Sequence, residues 1–185
     1  MNKTFLFFAC LLSINISQAQ TWGKLGTGTS GLMGIGNGVY TMCSDRNGNM
    51  YVAGWFRAMN IDTSWNVNVY KWDGSSWSEL GTGATALNAN SQIQVLCSDS
   101  SGNIYAGGEF TNDSGNEFVA KWDGTSWTEL GGMNALHANA NVLSICSDKN
   151  GYIYAAGAFT DGSSDTSGHS YVAKWDGTSW CIVLK

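Results

Sequence analysis

The apolar and polar positions of this chain spell one pattern three times. Each copy opens with a short apolar run, at Val39–Ser44, Ile93–Ser98 and Val142–Ser147. A polar Ser-Asp-x-x-Gly follows at Ser44–Gly48, Ser98–Gly102 and Ser147–Gly151. A second apolar run ends in phenylalanine, at Met50–Phe56, Ile104–Phe110 and Ile153–Phe159. After a loop of variable length a third run ends in Lys-Trp, at Trp72, Trp122 and Trp175. Asp-Gly-x-Ser comes next, and a fourth run opens on Trp77, Trp127 and Trp180. Runs this short, punctuated by Gly, Asp, Asn and Ser, predict strands and tight turns. The first run is apolar at most positions, which predicts a strand buried on both faces. Each copy therefore reads as four antiparallel strands, a, b, c and d, in about 50 residues.

The spacings divide into two kinds. Cysteine to phenylalanine is 13 residues in every copy (Cys43–Phe56, Cys97–Phe110, Cys146–Phe159). Valine to the second tryptophan is 8 in every copy (Val69–Trp77, Val119–Trp127, Val172–Trp180). Phenylalanine to valine is 13, 9 and 13, and the tryptophan that ends one unit lies 21, 20 and 19 residues before the next cysteine. Four-stranded meanders at this period predict an all-β, β-propeller-type fold with three blades. The fixed a–b and c–d turns then share one end, the bottom. The variable b–c loops and d–a crossovers share the other, the top.

Glycine pairs or Ala-Gly end strand b (Ala53-Gly54, Gly107-Gly108, Ala156-Gly157), and tryptophans flank the c–d turn. This text resembles the kelch repeat and is similar to propeller repeats of secreted and surface proteins of Bacteroidetes-type bacteria. It departs from kelch in having alanine for the first glycine in two units, and Trp where Tyr is usual. The resemblance covers nearly all of residues 22–185 and implies a propeller scaffold. Propellers host many functions, so it implies no particular one.

Physical readings attach to the repeated residues. Gly54, Gly108 and Gly157 are expected to admit a neighbouring strand at close range. The seven repeated tryptophans (22, 72, 77, 122, 127, 175 and 180) are expected to pack between blades. The mature chain begins with a d-type strand, Thr21–Leu25, and ends with another, Trp180–Leu184. Three blades fall below the usual four. The expectation is an incomplete ring or arc: a fragment of a longer protein, or a chain that self-associates through open blade edges.

Composition narrows the setting. Met1–Ala19 has Lys3, an apolar run Phe5–Ile16 and Ser17-Gln18-Ala19, the pattern of a cleaved signal peptide. Residues 20–185 then form the partial propeller, with units near 39–81, 93–131 and 142–184, and the protein is expected to be secreted or held at the cell surface. The full chain carries a formal charge of −5, with only 12% charged residues. That is a poor match to nucleic acid or to an anionic membrane. No later run is long enough to insert in a bilayer as a helix. Cys43, Cys97 and Cys146 hold equivalent positions, so they are expected to be buried free thiols, not bridges.

Candidate chemistry is sparse. Only His137 and His169 are available, in unlike positions, with Asp161 and Asp165 as conceivable partners near the top. The Asp45, Asp99 and Asp148 loops faintly suggest calcium, but Asp followed by Gly at +3 is ordinary turn chemistry with too few carboxylates. No catalytic set, metal site or cofactor is expected. Residues that escape the repeat are more informative. Trp55 stands where the other units have Glu109 and Ala158, and Arg57 and Trp65 lie nearby in sequence. These three are the candidate ligand-binding residues, for stacking on a sugar or anchoring a peptide. The functional expectation is a non-catalytic binding or adhesion module for a protein or glycan. The alternatives are a carbohydrate-binding accessory module, or part of an enzyme whose active site lies outside this chain.

Overall fold

A computed structural model describes residues 25–26, 34–58, 67–160 and 171–184. Within these residues twelve strands form three four-stranded antiparallel sheets. The first blade is β1 (Gly34–Ser44), β2 (Met50–Ala58), β3 (Tyr70–Trp72) and β4 (Trp77–Glu79). The second is β5 (Ile93–Ser98), β6 (Ile104–Gly108), β7 (Ala120–Trp122) and β8 (Trp127–Glu129). The third is β9 (Val142–Ser147), β10 (Ile153–Gly157), β11 (Tyr171–Trp175) and β12 (Trp180–Leu184). Strands follow chain order in every blade. Two single-turn 3-10 helices, Gly83–Thr85 and Gly132–Asn134, lie in the crossovers.

The blades stack face to face with their first strands innermost: β5 contacts both β1 and β9. Side chains of those strands tie them together. The Ser98 hydroxyl donates to the Ser44 carbonyl at 2.8 Å, and the Ser147 hydroxyl to the Ser98 carbonyl at 2.9 Å. The Leu96 amide donates to the Thr41 hydroxyl at 2.9 Å.

A hydrophobic cluster fills each gap between blades. Tyr51 and Ala53 of the first blade meet Ile93, Leu96 and Phe110 of the second. Tyr105 and Val119 of the second meet Val142, Ile145 and Phe159 of the third. Full burial of an Ile or Phe contributes about 1.5–3 kcal/mol, so these layers dominate the stability of the stack.

The tryptophans work in pairs. Trp72 and Trp77 face each other across the c–d hairpin with centroids 5.5 Å apart; Trp122 with Trp127 and Trp175 with Trp180 repeat this at 5.9 and 5.8 Å. The second of each pair reaches back one blade. Its indole N–H donates to a leucine carbonyl: Trp77 to Leu25 at 3.2 Å, Trp127 to Leu80 at 2.9 Å, Trp180 to Leu130 at 3.2 Å. Leu25 thus holds the place that Leu80 and Leu130 hold at the ends of their d strands. Thr21–Lys24 and residues 1–20, with the expected cleavage site, lie outside the described residues.

Two expectations are corrected. The inner strands bury one face fully, not both. Ile93, Leu96, Val142 and Ile145 are 0–6% exposed, because each points at the preceding blade. Their alternate neighbours stay half-buried or exposed. In β1 the corresponding Val39 and Met42 are 51% and 59% exposed. The described cysteines are free, but only Cys43 and Cys97 are half-buried; Cys146 and Cys181 are exposed. Burial pushes the Cys43 and Cys97 thiols up to about 12, as expected of small apolar fillers.

Candidate functional site

The bottom of the blades is built from saturated turns. Asp45 Oδ1 accepts the backbone amides of Asn47 and Asn49 at 2.9 and 3.0 Å. Its Oδ2 accepts Asn49 Nδ2 at 2.6 Å and the Tyr51 hydroxyl at 3.0 Å. Asp99 repeats all four bonds with Ser101, Asn103 and Tyr105. Asp148 takes the amides of Asn150 and Tyr152, with longer contacts to Asn150 Nδ2 and the Tyr154 hydroxyl. Burial alone would raise Asp45 and Asp99, but the hydrogen bonds from Asn and Tyr outweigh it and hold both below the usual range. The Tyr51 and Tyr105 hydroxyls are pushed up, first by burial and then by the same carboxylates. A shallow depression of about 350 Å³ lies among these turns, bordered by Arg46 and Lys149. Its carboxylates are already filled by their own loops.

The top is tied by the crossovers. Asn90 grips Thr111 with two bonds: its Nδ2 donates to the hydroxyl at 3.0 Å, and its Oδ1 accepts the amide at 2.9 Å. Asn139 grips Thr160 the same way, at 2.9 and 2.8 Å. The other side of each crossover pairs with the preceding blade, through Val67 with Ala89 and Glu117 with Ala138. Asn88 and His137 both hold left-handed backbone, with φ of 50° and 48°. His137 is therefore the third-blade counterpart of Asn88, a turn residue. It borders a groove of about 540 Å³ with Trp180 and Ile182. His169, Asp161 and Asp165 lie outside the described residues.

One top position differs in all three blades. The residue after the Gly that ends strand b is Trp55, Glu109 or Ala158. The strand-a residue at the matching level is Tyr40, Gln94 or Leu143. In the second blade these make a polar cluster. Gln94 Nε2 donates to Glu109 Oε1 at 2.8 Å, and Asn141 Nδ2, from the third blade, donates to the same oxygen at 3.2 Å. Gln94 Oε1 is buried and has no hydrogen-bond partner. Gln94, Glu109 and Asn141 are each half-buried.

Of the sequence candidates, Trp55 is half-buried at the first junction, packed on the cluster that holds Ile93 and Phe110. Arg57 sits in β2 opposite Ile35; its side chain lies outside the described residues, as does Trp65. The polar cluster was not among the candidates. Its one sequence signal was Glu109 standing at the address of Trp55. Gln94 and Asn141 carry no signal of their own, because an isolated amide in a strand or crossover is common.

No family model and no curated protein matches this sequence. Among solved structures, a fucose lectin from Kordia zhangzhouensis in complex with methyl-fucoside is similar at 20% identity and a TM-score of 0.47, covering 78% of this chain and 96% of the lectin chain. At that score the likeness transfers neither a site nor an activity.

Proposed function

We propose that this chain is an exported, non-catalytic binding module of kelch-like propeller type, which uses its top face to hold a glycan at a cell surface. The observation that carries this reading is the contrast between the two ends. Bottom turns repeat nearly bond for bond and have their carboxylates filled. At the top, one address holds an aromatic pair, a polar pair and an apolar pair in successive blades. The fold leaves that address free to vary, as a binding face requires. Aromatic faces beside amide and carboxylate groups suit the mixed apolar and hydroxyl surface of a sugar. The signal-like segment Met1–Ala19 supports the exported setting.

The test is a glycan array that includes fucosides, probed with the purified chain and its Trp55→Ala and Trp65→Ala variants. The expected outcome is retention on one glycan class, weakened at least severalfold in a tryptophan variant. Retention of no glycan at millimolar ligand would sink this reading and turn the search to protein surfaces.

A further inference from the structure

The open carboxylate oxygen of Glu109, beside two amide groups, points to a ligand that brings both donors and acceptors. We infer that the top of the junction between the second and third blades is a binding site for a neutral sugar, held through adjacent hydroxyl groups by Gln94, Glu109 and Asn141. This rests on the reading above and goes beyond it, because it names the site and the chemistry of recognition.

Three observations converge. First, Glu109 receives two amide donors on one oxygen, Oε1, and among the described residues no hydrogen bond or ion pair reaches Oε2. A carboxylate has about four lone-pair positions, so capacity remains. Second, Gln94 Oε1 is buried without a partner. Because its Nε2 must face the carboxylate, the amide cannot flip to relieve this. Orphaned buried acceptors are rare in folded proteins and cost about 1–3 kcal/mol each. Third, the scaffold does not require polar groups here. Tyr40 and Trp55 fill the matching positions in the first blade, and Leu143 and Ala158 in the third. The polar set is thus a local departure that leaves an acceptor unsatisfied.

The class of ligand follows from the inventory. The free acceptor on Glu109 lies beside the Gln94 and Asn141 amide groups, and an amide nitrogen carries two hydrogens, only one of which a single bond uses. The site therefore offers both acceptors and donors. A hydroxyl group donates and accepts, so two neighbouring hydroxyls match it. An ammonium group only donates and leaves the amide hydrogens unserved. The cluster bridges two blades, so a bound sugar would span β5, β6 and the entry to β9.

The experiment transplants the third blade's own residues into the second, as Gln94→Leu with Glu109→Ala. Binding of methyl-fucoside, methyl-galactoside, methyl-mannoside and methylammonium is followed by saturation-transfer NMR on the full exported chain, with thermal melting in parallel. The expected result is at least tenfold weaker glycoside binding with a melting temperature equal to or above that of the natural chain. A lowered melting temperature with glycoside binding unchanged would mean that the cluster is structural, and would overturn the site while leaving the broader glycan reading intact. Loss of both would also overturn it, unless Glu109→Gln, which keeps size and hydrogen-bonding reach, weakens binding without lowering the melt. Displacement of the glycosides by methylammonium would overturn the sugar assignment. No glycoside binding by the natural chain would remove this site and the reading it rests on together.

Discussion

At the scale of single residues, Trp127 carries the clearest energetic statement. Its indole N–H is buried and donates to the Leu80 carbonyl of the preceding blade. Phenylalanine keeps most of the apolar area and removes the donor, leaving a buried carbonyl unserved. Trp127→Phe is expected to cost about 1–3 kcal/mol. Trp180→Phe should cost less, since its bond to Leu130 is longer and only part-buried. Urea unfolding of both variants checks the order; equal costs would mean that indole packing, not the hydrogen bond, sets the effect.

At the scale of strands, close approach decides what a position tolerates. A Cβ added to Gly108 would land on the Gln92 carbonyl oxygen, a backbone atom of the same blade. Gly108→Ala is expected to destabilise by about 1–3 kcal/mol through forced displacement of β5 from β6. One residue earlier the outcome differs. A Cβ on Gly107 would meet the Val142 and Ile145 side chains at 2.7 and 2.9 Å, side-chain atoms and not backbone. The other blades carry Ala53 and Ala156 there. Gly107→Ala is expected to lower the urea midpoint less than Gly108→Ala does, and a loss as large as that of Gly108→Ala would contradict this account. These glycines also show why the strands were legible. Turn chemistry and the strand-end glycines recur in register, so β5, β9 and the starts of the d strands were readable to the residue. The inner strands' open face was not readable, because it depends on what lies beyond each blade and not on the strand's own apolar text. The polar cluster was hidden for a related reason: Gln94 and Asn141 come from different units, and only stacking brings them to one carboxylate.

At the scale of the whole molecule, six turn aspartates set the response to acid. Asp73 is lowered to about 2 by the backbone amides of Ser76 and Ser75 and by the Ser75 hydroxyl. Asp123 and Asp176 are lowered by the equivalent amides of their own turns. Asp148 is lowered because the amides of Tyr152 and Asn150 outweigh the effect of burial, and Asp45 and Asp99 fall as well. A carboxyl whose folded pKa lies below its unfolded value, 3.8 here, stabilises the fold at pH above that value. That contribution is lost as pH falls toward the folded pKa. Stability is therefore expected to be level above about pH 4 and to decline from there to about pH 2. Tryptophan fluorescence during urea unfolding at a series of pH values measures this, and a flat profile across that window would refute it.

The indole-to-leucine bond has an evolutionary reading. Each of the first two units contains both halves of it: a tryptophan that opens strand d and a leucine that closes it, three residues apart at Trp77 and Leu80 and at Trp127 and Leu130. A unit duplicated by unequal recombination arrives with a donor for the copy before it and an acceptor for the copy after it. Blade number can then drift in either direction without the invention of a new surface. Because the residue after the strand-b glycine is exempt from that rule, every added copy also brings one position free to acquire a different taste.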